Sequence, residues 1–276
     1  MKALLFSLLL VSTVAGQAQL PTAAPQRAGF DPARLAVMHA TVKRFVDDRK
    51  HAGLITLVAR DGKIVDFETY GYRDLERKLP MERDTICRVY SMSKIITTVG
   101  TLILFEEGRF NLDDPVAKYL PELKDMKVWS GNKAESAQLE PLKRPITIKH
   151  LLTHTSGLVY DFSANGELAK LWREADLWNG PGLDGFIQKL SKLPLAHQPG
   201  DAYTYGVNQD VLGALIERVS GKRFGEFLQA RIFGPLQMKD TGFDVPEAKL
   251  SRLAKTYKNG PDGNFVEEQP ILETWP

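Results

Sequence analysis

The chain has 276 residues, with 36 Lys+Arg against 34 Asp+Glu, 43% hydrophobic, 9% aromatic and 25% charged, the balance of a globular protein that buries a core. A formal charge of +2 provides neither a basic field for nucleic acid nor an acidic tail. One cysteine, Cys87, excludes an intramolecular disulfide and a cysteine-based zinc site, so packing must stabilise the fold.

Behind Met1-Lys2, thirteen uncharged residues run from Ala3 to Ala15, followed by the small-x-small segment Gly16-Gln17-Ala18. This is the pattern of a cleavable secretory signal over residues 1–18. Thirteen residues are too few to span about 30 Å of hydrocarbon, so no stable membrane anchor is expected. A periplasmic or secreted product follows, with one domain over 19–276. From Asp31 to about Lys50 the apolar residues Leu35, Val37, Met38, Val42, Phe45 and Val46 fall at helical spacing, with Asp31-Pro32 as cap and first turn. Leu54 to Ala59 and Ile64 to Tyr72 flank Arg60-Asp61-Gly62-Lys63, which predicts a β-hairpin turning on Asp-Gly. A second helix is expected from about Ser91 to Glu107, where Ile95, Ile96, Val99, Leu102, Ile103 and Phe105 recur at three and four before Gly108.

Residues 110–200 are expected to be mostly helix and loop, broken by Pro115, Pro121, Pro141, Pro181 and Pro194. Val211 to Val219 begins another helix that Gly221 ends. From Phe243 onward the pattern thins around a turn at 258–263, and no convincing sheet appears for the hairpin to join.

Ser91-Met92-Ser93-Lys94 is the strongest chemical candidate. A serine and a lysine three apart share one helix face, so an amine can take the proton of a hydroxyl that is a poor nucleophile alone. A second Ser-x-x-Lys at Ser130 to Lys133 has no apolar helix behind it. His150 and His154 are four apart but lack the glutamate of a zinc-hydrolase helix, so no metal is expected. His154-Thr155-Ser156-Gly157 is read as a helix end. His39, His51 and His197 form no cluster. Gly180 to Gly185 matches G-x-G-x-x-G but follows a Trp-rich segment, not a strand, and is read as a loop; no cofactor is expected. Trp172, Trp178, Leu171, Leu177 and Phe186 could roof a pocket, although packing of a helical region accounts for most of them.

In order along the chain, RVYSMSK, LDDPVAKYLPEL (Leu112 to Leu123), ITIKHLLTHTSGL (Ile146 to Leu158), QPGDAYTYG (Gln198 to Gly206) and DVLGALIE (Asp210 to Glu217) resemble the serine β-lactamase-like family. That family includes class C β-lactamases, D-alanyl-D-alanine carboxypeptidases and family VIII carboxylesterases. The resemblance covers about Gly29 to Gly242. It implies an α/β (α+β) fold of the β-lactamase/transpeptidase type, in which an antiparallel sheet is flanked by helices and joined to a helical region. It also implies Ser91 as acylated nucleophile, Lys94 as general base, and Tyr205 as the phenol of the Tyr-x-Asn element, which would share protons with the lysine.

Two departures qualify this. Val207 occupies the third position of Tyr-x-Asn, with Asn208 displaced by one. The amide that would hold a β-lactam or peptide is therefore expected to be missing, and family VIII, with ester substrates, is the better resemblance. Second, Lys255-Thr256-Tyr257 is a coincidental match to the family's third element, Lys-Thr-Gly or an equivalent. The strand carrying that element would supply a second oxyanion donor beside the one expected at Ser91, and removing one donor costs roughly 2.7–4 kcal/mol. The sheet is thus expected to be incomplete, with C-terminal strands missing. A small-molecule ester is the expected substrate. A β-lactamase or D-alanyl-D-alanine carboxypeptidase, and a non-catalytic member that binds cell-wall fragments or a partner, remain open, and the oligomeric state is left undetermined.

Overall fold

A computed structural model describes residues 20–131 and 139–268. The predicted signal at 1–18 and Asn132 and Lys133 of the second Ser-x-x-Lys lie outside the described residues. Helix α1, Pro32–Asp47, is capped by the Asp31 carboxylate, which accepts the Ala33 N–H at 2.8 Å. Pro32 at its first position donates no N–H that would go unmet. Of the six apolar residues expected on its inner face only Leu35 is buried; Val37 and Phe45 are 66% and 40% exposed.

The hairpin forms as expected, with β1 (Gly53–Arg60) antiparallel to β2 (Lys63–Asp74). Asp61 and Gly62 at its tip have φ of 50° and 68°, the left-handed pair that matches strand twist. A short β3, Leu79–Pro80, completes a sheet of order β1-β2-β3. Among the described residues no further strand joins that sheet; Thr22 makes only an isolated parallel bridge to Ile64 of β2.

The second predicted helix starts differently. Tyr90–Met92 is a 3-10 turn, and α2 proper runs Ser93–Glu106. Its apolar residues do not all go inward, since Ile95, Val99, Leu102 and Phe105 are exposed. The mostly helical middle is as expected but also holds an unforeseen ribbon, β4 (Lys127–Trp129) with β5 (Leu139–Pro141).

Helix α3, Ile148–Leu152, ends before His154, so the expected helix end at Gly157 is corrected: His154 takes φ 55° and leaves the helix. After α4 (Gly166–Glu174), α5 spans Gly182–Leu190. The glycine-rich segment is therefore a loop only to Pro181, because the Phe186, Ile187 and Leu190 stripe packs into the core. Trp172, Leu177 and Phe186 are core residues rather than a roof. Helix α6, Asn208–Ser220, begins three residues earlier than its apolar run and stops at Gly221. Helix α7, Phe224–Leu228, follows. The turn at 258–263 joins β6 (Tyr257–Asn259) to β7 (Phe265–Glu267), two strands that the sequence pattern did not show.

The main core lies in the helical part, where Leu120, Leu123, Ile148, Leu151, Leu158, Phe186, Ile187, Leu195, Leu212, Leu215 and Phe227 come together. Strand β1 contributes no fully buried side chain. Truncating Leu158 to Ala should therefore cost about 2–5 kcal/mol, whereas Leu57→Ala on β1 should stay within about 0.5 kcal/mol; urea denaturation of both variants checks the contrast.

Candidate active site

Three side chains from two distant segments meet at the start of α2. The Ser91 Oγ lies 2.7 Å from the Tyr205 phenol oxygen, and Lys94 Nζ donates to the same Oγ at 3.1 Å. These are the three residues singled out from the sequence. Ser91 is exposed, and Lys94 and Tyr205 are half-buried. Tyr90, immediately before the serine, has φ 42°, a left-handed conformation costing on the order of 1–3 kcal/mol for a non-glycine residue. It turns the chain sharply so that Ser91 stands proud of the helix end.

Tyr205 is placed by two contacts of its own segment. The Thr204 N–H donates to the His154 carbonyl at 2.8 Å. At Gly206 the backbone approaches residue 158 so closely that an added Cβ would lie 2.2 Å from the Leu158 oxygen. Only glycine permits this approach, and it carries Tyr205 to within reach of Ser91.

The aromatic surroundings are dense. The Tyr205 ring stacks on His154, with centroids 5.3 Å apart and planes at 27°, and lies 5.4 Å from Tyr160. Lys94 Nζ sits 4.9 Å and 5.5 Å from the Tyr205 and Tyr160 ring centres, within the range of cation–π attraction. Phe162 stacks on Tyr160 and is 71% exposed.

Burial alone would raise the Tyr205 pKa, but contact with the Lys94 ammonium and the Ser91 hydroxyl outweighs it, and the net direction is downward. Tyr160 moves the other way, held protonated by burial and by the Asp210 and Tyr205 charges. Asp210 sits 3.5 Å from the Tyr160 hydroxyl. Burial pushes its carboxyl up to about 6, against the opposing pull of Lys94. Asp210 and Tyr160 were missed as site residues; for Asp210 the order Tyr205, four residues, Asp210 opening DVLGALIE held a signal, and for Tyr160 none was read.

The remaining candidates are placed elsewhere. Val207 is buried, and Asn208, also buried, turns inward to Ser156 and His154. Lys255 is tied to Glu267 at 2.7 Å and Glu76 at 3.1 Å, in a carboxylate cluster of its own. His150 accepts the Thr147 N–H in a helix cap. No group of three or more metal-binding side chains occurs among the described residues.

Comparison with known proteins extends the geometry. Residues 38–272 match the Beta-lactamase family. Protein Rv1367c of Mycobacterium tuberculosis is 35% identical over 219 residues, 79% of this chain and 54% of its own length. Esterase EstB of Burkholderia gladioli is 33% identical over 242 residues, 86% of this chain and 58% of its own. The solved structure of EstCE1, described as a hydrolase with promiscuous acyltransferase activity, superposes with a TM-score of 0.73 at 27% identity, covering 87% of this chain and 62% of that one. The chain thus spans little more than half the length of the relatives it matches.

Two outcomes test the site's construction. Gly206→Ala should destabilise the fold or displace Tyr205, costing more than about 1 kcal/mol in denaturation because the clash is with backbone. Asp210 holds its proton more tightly in the folded chain, so its burden grows as pH rises from the ordinary carboxylate value of 3.8 to about 6 and is fully present above. Asp210→Asn should therefore raise folding stability by about 1–3 kcal/mol at pH 8, and the gain should fade below pH 4.

Proposed function

The chain belongs to the Beta-lactamase family, and from that premise we propose that it is a serine hydrolase cleaving carboxylic esters through an acyl-enzyme on Ser91. One observation carries the reading: a single hydroxyl, Ser91 Oγ, bridges a phenol at 2.7 Å and an amine at 3.1 Å. In the first half-reaction the Ser91 proton passes to the Tyr205–Lys94 pair while Oγ attacks the ester carbonyl. Tyr205, held below its ordinary pKa, is the nearer acceptor, and Lys94 balances the charge. As the tetrahedral centre collapses, the alkoxide leaves and takes that proton back from the pair. Water then attacks the acyl-serine, gives one proton to the same pair, and the acid departs with Ser91 reprotonated. A phenol and an amine that share one proton can serve as acid and base in turn.

The ester preference rests on Asn208. Its amide faces Ser156 and His154 rather than the nucleophile, so it offers no hydrogen bond to a β-lactam or peptide amide. An ester, whose alkoxide leaves more readily than an amine, needs less of that help. An alcohol taking the place of water at the second step would give acyl transfer, a reading favoured by the likeness to EstCE1, whose description names both activities. The proposal includes export, with residues 1–18 as a cleaved signal; Edman sequencing of the secreted protein should begin near residue 19.

The serine assignment is checked with a fluorophosphonate probe and peptide mass spectrometry. Wild-type protein should carry one adduct on Ser91 and Ser91→Ala none; equal labelling of the variant would sink it. Lys94→Ala and Tyr205→Phe should each slow ester turnover by about 100-fold or more, the usual contribution of one general acid–base group. Short-chain p-nitrophenyl esters should be hydrolysed in preference to nitrocefin, and the reverse preference would overturn the reading of Asn208.

A further inference from the structure

Asn208 is not merely absent from the nucleophile; it is built into something else. It opens α6 with its side chain fully buried, as is Ser156. The Ser156 hydroxyl oxygen accepts the Leu158 N–H at 3.1 Å and lies 2.5 Å from Asn208 Oδ1. That hydroxyl gives its own proton to Asn208 Oδ1, and the amide NH2 faces the histidine. Asn208 Nδ2 then donates to His154 Nδ1 at 3.0 Å. A nitrogen that accepts there carries no proton, which leaves the proton on Nε2 and the ring neutral.

The same His154 lies flat against the Tyr205 ring, and its carbonyl holds the Thr204 N–H beside it. Its φ of 55° is a conformation that a histidine keeps only when its surroundings hold it. We infer that His154 and Asn208 are positioning residues: neutral His154, clamped by Asn208, fixes the Tyr205 phenol against Ser91, and protonation of the imidazole releases it. The cation would set an N–H against the NH2 of the buried Asn208, two donors face to face.

The titratable and charged groups around the ring are Lys94 from α2 and Tyr203 and Tyr205 from the segment before α6, while Asp210 of α6 turns instead to Tyr160. Burial and then the Lys94 charge both favour the neutral ring, so release belongs on the acid side of its ordinary pKa of about 6.5.

The inference rests on the serine-hydrolase reading, and its test separates the two. Two readouts are taken on the full chain between pH 5 and 8: the rate of Ser91 labelling by a fluorophosphonate, and the 15N resonances of the His154 ring with the Tyr205 ring signals. Asn208→Asp replaces the donor by an acceptor that prefers the imidazolium. It should move the His154 titration upward while removing the acid limb of labelling, because the imidazolium N–H then finds an acceptor in the carboxylate and the clamp holds in both protonation states. His154→Gln, neutral throughout, should lose the acid limb, and it carries the test should Asn208→Asp fail to fold. Profiles that coincide with wild type in both variants would overturn the inference. If Ser91 labels in no variant, the hydrolase reading fails separately, and the ring spectra decide: Nε2-protonated His154 whose titration shifts the Tyr205 signals supports the clamp, and an Nδ1-protonated ring or an indifferent Tyr205 overturns it.

Discussion

Packing of α2 against α6 is the constraint on which the site depends. Ser91 and Lys94 sit at the head of one helix and Tyr205 just before the other, 114 residues apart along the chain. Neither helix can slide without opening the Ser91–Tyr205 contact, and the interface is locked by the buried stripe of α6, whose Val211, Leu212, Leu215 and Ile216 are almost wholly removed from water. Close-packed interiors resist such displacement because even one lost methylene is felt. The helical part of the molecule therefore holds both the main core and the candidate site, while the hairpin contributes little core of its own.

The polar groups are arranged around a single cation. Lys94 lies against two tyrosine rings and one serine, and it opposes the rise in the Asp210 pKa. Two phenols beside it diverge: Tyr205 is drawn down by its contact with Lys94 despite desolvation, and Tyr160, more deeply buried and beside a carboxylate, is driven up. One ring is thereby suited to move a proton and the other to keep it. Divergence of like groups in one cleft is the usual mark of acid–base work. The Asp210 charge is costly to bury there, a burden tolerated more often at functional sites than in cores.

Backbone geometry enforces the same arrangement. The left-handed turns at Tyr90 and His154 and the close approach at Gly206 each spend local stability to aim a side chain. They cluster within one neighbourhood, whereas the hairpin tip at Asp61-Gly62 is an ordinary tight turn.

Much was legible in the sequence because it depends on local rules. The Asp31 cap, the Asp-Gly hairpin, the α6 stripe ending at Gly221 and the order Ser91, Lys94, Tyr205 all follow from periodicity, turn chemistry or motif order. What escaped was non-local. The strands β4 to β7 are three residues each and carry no period. The α5 helix inside a glycine-rich stretch is made by the burial of Phe186 and Ile187, and the exposure of Ile95 and Val99 is set by what packs against α2. The displacement of asparagine to position 208 could be seen in the chain, but its meaning could not. The linear order of residues determined which groups were available for chemistry; only the tertiary structure decided that Asn208 faces His154 and that Tyr205 reaches Ser91, because those distances are set by helix packing between segments that share no sequence neighbourhood.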